Sequence, residues 1–219
     1  MEKNSSQDLH FVFGNIRLEG HLSIPPASKG IVLFAHGSGS GRFSPRNQFV
    51  ATLFNQQKIA TLLIDLLTAK EGEVDEQTRE LRFNIDLLSE RLIQIADWLS
   101  QDLRTKSLSI GYFGASTGAA AALIAAAKNS KVSAVVSRGG RPDLAKSFLP
   151  QVRCPTLLIV GENDSEVIAL NQQAYELLMC PKKMEIVPRA THLFEEPGCL
   201  EEVARLSSEW FLRYFSEKR

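Results

Sequence analysis

The chain has 219 residues, and its 25 Lys plus Arg balance 25 Asp plus Glu, so no global field favours a nucleic acid or an anionic membrane. Hydrophobic residues at 44% and charged residues at 23% are the composition of a folding globule and exclude intrinsic disorder. The length suits one domain over 1–219, built on one core.

In chain order, the stretch from Met1 to Asp8 is polar and lacks the apolar core of a secretory signal. His10–Phe13 and Ile16–Ile24 flank Gly14-Asn15, a turn pair that predicts an antiparallel hairpin at a sheet edge. Short apolar, β-branched runs follow at Ile31–Ala35, Ala60–Ile64, Leu108–Phe113, Val132–Val136, Thr156–Val160 and Met184–Val187. They read as buried parallel strands, so the class is α/β, with eight strands in a mostly parallel sheet covered by helices on both faces.

Between them, Ser44-Pro45 pairs a capping hydroxyl with a proline suited to the first helical turn. Leu81, Ile85, Leu88, Leu92, Ile95 and Leu99 mark one amphipathic helix. Leu200, Val203, Leu206, Trp210 and Tyr214 predict the inward stripe of the last helix, with Pro197 in its first turn. The charged segment from Ala69 to Glu80 reads as an exposed connection. Gly118–Ala127 is half the roughly 20 apolar residues a bilayer span needs, so it predicts a close-packed buried helix. Cys154, Cys180 and Cys199 show neither a disulfide framework nor metal-ligand spacing, and predict a cytoplasmic protein in a reducing compartment.

Four segments carry chemistry. Gly114-Ala-Ser116-Thr-Gly118 sits between a predicted strand and an alanine-rich predicted helix, the setting of a nucleophile elbow. A sharp strand-to-helix turn strains the serine backbone, and small flanking residues give the clearance. The helix start also turns free N–H groups toward a developing oxyanion. His36-Gly-Ser38-Gly-Ser-Gly41-Arg42 follows another strand, and its glycines let the loop approach the nucleophile and donate an N–H, so Ser38 and Thr117 are the candidate oxyanion donors. A phosphate-binding loop fits less well, because the P-loop lysine and the dinucleotide spacing are missing. Gly161-Glu-Asn-Asp164 and Ala190-Thr-His192 each follow a strand, so both would reach the carboxyl edge where Ser116 lies. Glu162 and Asp143 are rivals to Asp164 as the acid.

Together these segments resemble an α/β-hydrolase, and the absence of room for a cap resembles the dienelactone-hydrolase-like branch. The resemblance implies Ser116 as nucleophile, Asp164 as acid and His192 as base, with Ser38 and Thr117 at the oxyanion hole. It departs at the nucleophile, where dienelactone hydrolases proper carry cysteine. The expected reaction is hydrolysis of a small soluble ester, lactone or thioester through an acyl-serine, with no cofactor and no metal. A small peptidase or amidase with the same triad, or a silent binding module on the same fold, are the other readings. His36, Arg42, Arg138 and Arg141 are candidate substrate-binding residues. The three arginines follow carboxyl strand ends and would favour an anionic small-molecule substrate unless loop carboxylates such as Asp143 neutralise them.

Overall fold

The computed structural model describes residues 5–216. β1 (Ser5–Phe13) and β2 (Ile16–Ile24) form an antiparallel hairpin that turns at Gly14, whose φ of 59° glycine adopts without steric cost. β2 runs antiparallel against β4 (Ala60–Ile64). From there the sheet is parallel through β3 (Gly30–Ala35), β5 (Ser109–Ala115), β6 (Val132–Arg138), β7 (Thr156–Gly161) and β8 (Lys182–Val187). The order across the eight strands is β1-β2-β4-β3-β5-β6-β7-β8.

Alternation along the strands divides the core between the two faces. Ile31, Leu33, Ile110 and Tyr112 belong to one apolar cluster, Val32, Phe34 and Phe113 to the other, because successive side chains of a strand point to opposite faces. On the first face lie α3 (Ile85–Leu99) and α4 (Thr117–Lys128), with α5 (Ser165–Leu177) beside β7. On the second lie α1 (Pro45–Gln56) and α6 (Cys199–Ser216). Burying each large apolar side chain contributes roughly 1.5–3 kcal/mol, so these faces supply most of the drive to fold.

α1 begins as expected, with the Ser44 hydroxyl accepting from the Asn47 N–H at 3.4 Å and Pro45 in the first turn. The helix expected from Leu81 starts later. Leu81–Phe83 is a 3-10 turn, and α3 begins at Ile85 because the Asn84 side chain caps it by accepting from the Leu87 N–H at 3.1 Å. The inward face of α6 consists of Val203, Ser207, Trp210, Phe211 and Phe215, whereas Leu200, Leu206 and Tyr214 are only partly buried. Pro197 precedes the helix. The sheet sets that register: a Cβ on Gly30 would lie 2.2 Å from the Phe215 ring, and one on Gly111 2.6 Å from the Phe211 ring, so two glycines receive the two aromatics.

The segment expected to be an exposed connection is helical. α2 (Ala69–Thr78) starts at a capping box in which Thr68 accepts from the Glu71 N–H at 3.1 Å and Glu71 accepts from the Thr68 N–H at 2.7 Å. Asp75, buried on α2, accepts from the Arg82 N–H and Nε at 2.9 and 2.6 Å. A weak apolar pattern hid a helix held by polar contacts. Between β6 and β7 the chain makes two short 3-10 turns, Pro142–Ala145 and Leu149–Gln151, and no cap. No helix is long and apolar enough to cross a membrane among the described residues.

Candidate active site

The ends of five parallel strands, β3, β5, β6, β7 and β8, supply the residues gathered at the carboxyl edge. Ser116 follows β5 with φ 50° and ψ −122°, a region that costs a non-glycine residue of order 1–3 kcal/mol. The elbow closes only because its flanks are small. A Cβ on Gly114 would lie 2.4 Å from the Ala119 Cα, and one on Gly118 2.2 Å from the Ala35 carbonyl oxygen. The Ser116 N–H donates to the Arg138 carbonyl at 3.3 Å, and its own carbonyl accepts from the Ala119 and Arg141 N–H groups at 3.1 and 3.0 Å. Backbone bonds on three sides hold the turn.

Ser116 occupies the cap position of α4, and Asp164 that of α5, yet neither side chain caps its helix. Serine and aspartate are among the best capping residues, so both give up a local hydrogen bond and leave their oxygens for other work. Asp164 uses its own on His192, whose Nδ1–H donates to the carboxylate at 2.6 Å. The rival acids are occupied elsewhere. Asp143 binds the Arg141 guanidinium through both oxygens at 2.9 and 2.8 Å, and Glu162 accepts from the Arg189 N–H at 2.8 Å.

Several residues without expected roles place this pair. The Asn163 N–H donates to the Ala190 carbonyl at 2.9 Å and the Asn163 side chain to the Arg189 carbonyl at 2.9 Å, joining the acid loop to the histidine loop. Gly161 permits the approach, since a Cβ there would lie 2.4 Å from the Ala190 oxygen. The run Gly161-Glu-Asn-Asp164 was the sequence signal, but its partner loop could not be read from it.

A cavity of about 230 Å³ is lined by Gly37, Ser38, Ser116, Arg138 and His192, with Ser44, Arg46 and Asn47 from the start of α1. Ser116 and His192 thus face one space from separate strand ends. Thr117 opens α4, where a first-turn N–H has no intrahelical acceptor, and Ser38 lies in a turn closed by the Ser40 N–H on the Gly37 carbonyl at 3.2 Å. A Cβ on Gly37 would sit 3.2 Å from the Ser116 Cβ, so the loop passes close to the nucleophile position.

The remaining candidates separate. His36 is buried with both ring nitrogens engaged: Nδ1 lies 2.9 Å from the Gly37 carbonyl, and Nε2 accepts from the Leu66 N–H at 3.1 Å. Burial pushes its pKa below the usual 6.5 against the opposing pulls of the Gly37 carbonyl and Asp65, so the ring is neutral and anchors its loop. Arg42 binds Asp65 and also Glu19 at 2.7 Å, and lines a neighbouring cavity of about 340 Å³ instead of the one holding Ser116. Arg141 is held by Asp143. Of the three arginines expected to face substrate, Arg138 alone lines the Ser116 cavity; Arg46, not singled out from the sequence, joins it there. Its signal was position, just beyond the glycine loop at the head of a predicted helix.

Comparison with known proteins agrees with this fold. A family described as an alpha/beta hydrolase domain matches residues 28–202. The crystal structure of a dienelactone hydrolase from Anabaena variabilis is 56% identical, covers 97% of this chain and 99% of that one, and superposes with a TM-score of 0.95. Est1E from Butyrivibrio proteoclasticus shares the fold at a TM-score of 0.80 with 14% identity, covering 96% of this chain and 99% of that one. A Mycobacterium tuberculosis H37Rv protein provisionally named a phosphoribosyl transferase is 51% identical over 207 residues, which are 94% of this chain and 46% of the relative. The chain thus spans about half the length of the curated relative it matches.

Proposed function

Because this chain belongs to the alpha/beta hydrolase domain family, we propose that it is a hydrolase and cleaves a small ester, lactone or thioester through an acyl-serine at Ser116. The observation that carries the reading is the pairing of His192 Nδ1 with Asp164, a capping aspartate turned away from its own helix. That bond leaves the other ring nitrogen, Nε2, as the acceptor, the tautomer a general base requires.

In the proposed cycle His192 Nε2 takes the Ser116 hydroxyl proton as Oγ attacks the acyl carbon. The tetrahedral oxyanion receives N–H bonds from Ser38 and Thr117. Collapse expels the leaving group, which takes the proton from the imidazolium. Water then attacks the acyl-serine by the same route and releases the acid. Asp164 stabilises the imidazolium in both halves. Kinship with the Anabaena variabilis dienelactone hydrolase favours a lactone among the candidate substrates. The transferase name of the Mycobacterium tuberculosis relative we assign to the part of that longer protein not shared with this chain.

Reaction with a fluorophosphonate followed by intact-mass measurement tests the reading. One adduct, mapped to Ser116 and absent from Ser116→Ala, is expected, and the variant should lose roughly 10⁴-fold or more in ester turnover. No adduct, or a variant with half the native rate, would refute it. Turnover of matched amides at rates equal to esters would instead assign a peptidase or amidase.

A further inference from the structure

The cavity at Ser116 holds more positive charge than hydrolysis of a neutral ester needs. Arg138 ends β6, sits beside Ala115 in the sheet register and is 7% exposed. Among the described residues no carboxylate lies within ion-pair distance of it, whereas Arg42, Arg46, Arg82, Arg91, Arg104, Arg141 and Arg205 each hold at least one. Arg138 Nη1 donates to the Leu193 carbonyl at a long 3.4 Å, and its buried Nε has no hydrogen-bond partner. Its other neighbour is the Phe194 ring at 5.8 Å. A buried guanidinium without a counter-charge is costly to keep, and such groups persist where they serve a ligand.

Two further positive features share the cavity. Arg46 enters from α1 with one nitrogen on Glu195 at 2.6 Å and a buried Nε that has no partner. Burial, with Arg46 adding to it, pushes Arg138 down to about 10, which leaves it charged at neutral pH. The start of α1, represented on the wall by Ser44 and Asn47, brings the positive end of the helix dipole, about half a charge; Pro45 carries no N–H and the Asn47 N–H is held by the Ser44 hydroxyl, so it is the dipole that α1 contributes. One unpaired guanidinium, one shared with a single carboxylate and one helix end therefore face a space of about 230 Å³.

We propose that Arg138, Arg46 and the head of α1 form an anion subsite that binds a phosphate group carried by the substrate. A carboxylate would supply one charge, whereas a phosphate monoester brings about −1.5 to −2 at neutral pH and three acceptor oxygens, the better match to this cluster. The inference rests on the hydrolytic reading of the same cavity. The reaction would break only the acyl bond: Ser116 displaces the leaving group, water restores the serine, and the phosphate leaves intact on its product.

Phenyl phosphate and benzoate, which lack a scissile acyl ester, test the subsite on the native protein by calorimetry at low ionic strength. Phenyl phosphate is expected to bind one to one and about tenfold or more tighter than benzoate. Arg138→Gln and Arg46→Gln should each weaken that binding about tenfold, and Arg138→Lys, which keeps the charge without the fork, should recover part of it. Should Arg138→Gln fail to fold, Arg46→Gln decides the question, because that side chain is partly exposed at the rim. Absence of saturable binding, equal binding of benzoate, or affinity unchanged in a folded variant would overturn the proposal. Fluorophosphonate labelling of Ser116 reads the hydrolytic centre separately, so either idea can fail alone.

Discussion

At Asp164 a single side chain has two claims on it, the free N–H groups of its own helix and the imidazole across the cleft. It takes the imidazole at 2.6 Å, and that choice fixes which ring nitrogen can accept a proton. Asp164→Asn would keep the shape and favour the wrong tautomer, so ester turnover should fall about 10²–10⁴-fold with little change in KM. Asp143→Asn, which only loosens the Arg141 pair at the surface, should stay within about threefold. Steady-state rates of the two variants on one p-nitrophenyl ester settle the assignment; a larger loss at Asp143 would reverse it. His36 shows the opposite fate of a glycine-loop histidine, with both nitrogens spent on holding backbone.

Among the elements, α2 departs most from its sequence pattern. Its apolar residues do not form a stripe, and Val74 is exposed, yet a capping box at one end and the Asp75–Arg82 pair near the other hold it in place. Burial by itself would raise the Asp75 carboxyl, but the N–H groups of Arg82 and Leu81 and the Arg82 guanidinium outweigh it and hold the group below its ordinary 3.8. A depressed carboxyl stabilises the fold fully above the unfolded value and loses that contribution as pH falls through the folded one. Asp75→Asn should cost about 1–3 kcal/mol near neutral pH, and the difference from native should shrink below about pH 3.8. Urea denaturation at pH 7 and pH 3 measures both; a gap that widens in acid would contradict the account. α4 is the contrasting element, since its alanines pack against β3 and β5 so closely that their small size was itself the sequence signal.

For the whole molecule, the consequence of the topology is a small site with little cover. The β6–β7 connection makes two 3-10 turns and no cap over Ser116, and the cavity of about 230 Å³ leaves little space for a long acyl chain. Acetyl and butyryl p-nitrophenyl esters should therefore exceed the palmitoyl ester in kcat/KM by roughly tenfold or more. Equal rates across the series, measured below the concentration where palmitate esters form micelles, would show that a larger acyl site exists. The second cavity carries the ion pairs Arg42–Asp65 and Asp75–Arg82 on its walls and meets the first along Gly37, Ser38 and Ser40.

Local pattern was enough to read the eight strands, the hairpin, the elbow at Ser116 and the loops bearing Ser38, Asp164 and His192. Alternating apolar runs, glycines at forced turns and strand-to-helix junctions are short-range consequences of backbone sterics and burial. The start of α3 at Ile85 and the polar helix α2 also had local signals, an asparagine cap and a Thr68-Glu71 box, but these are weaker than apolar periodicity. Tertiary structure alone decided that Asp164 and not Glu162 or Asp143 meets His192, that Asp65 and Glu19 neutralise Arg42, and that Arg138 and Arg46 share the cavity of Ser116. Those outcomes depend on which side chains from distant strand ends come within about 3 Å of one another, and a hydrogen bond is sensitive to that distance in a way that no one-dimensional pattern encodes.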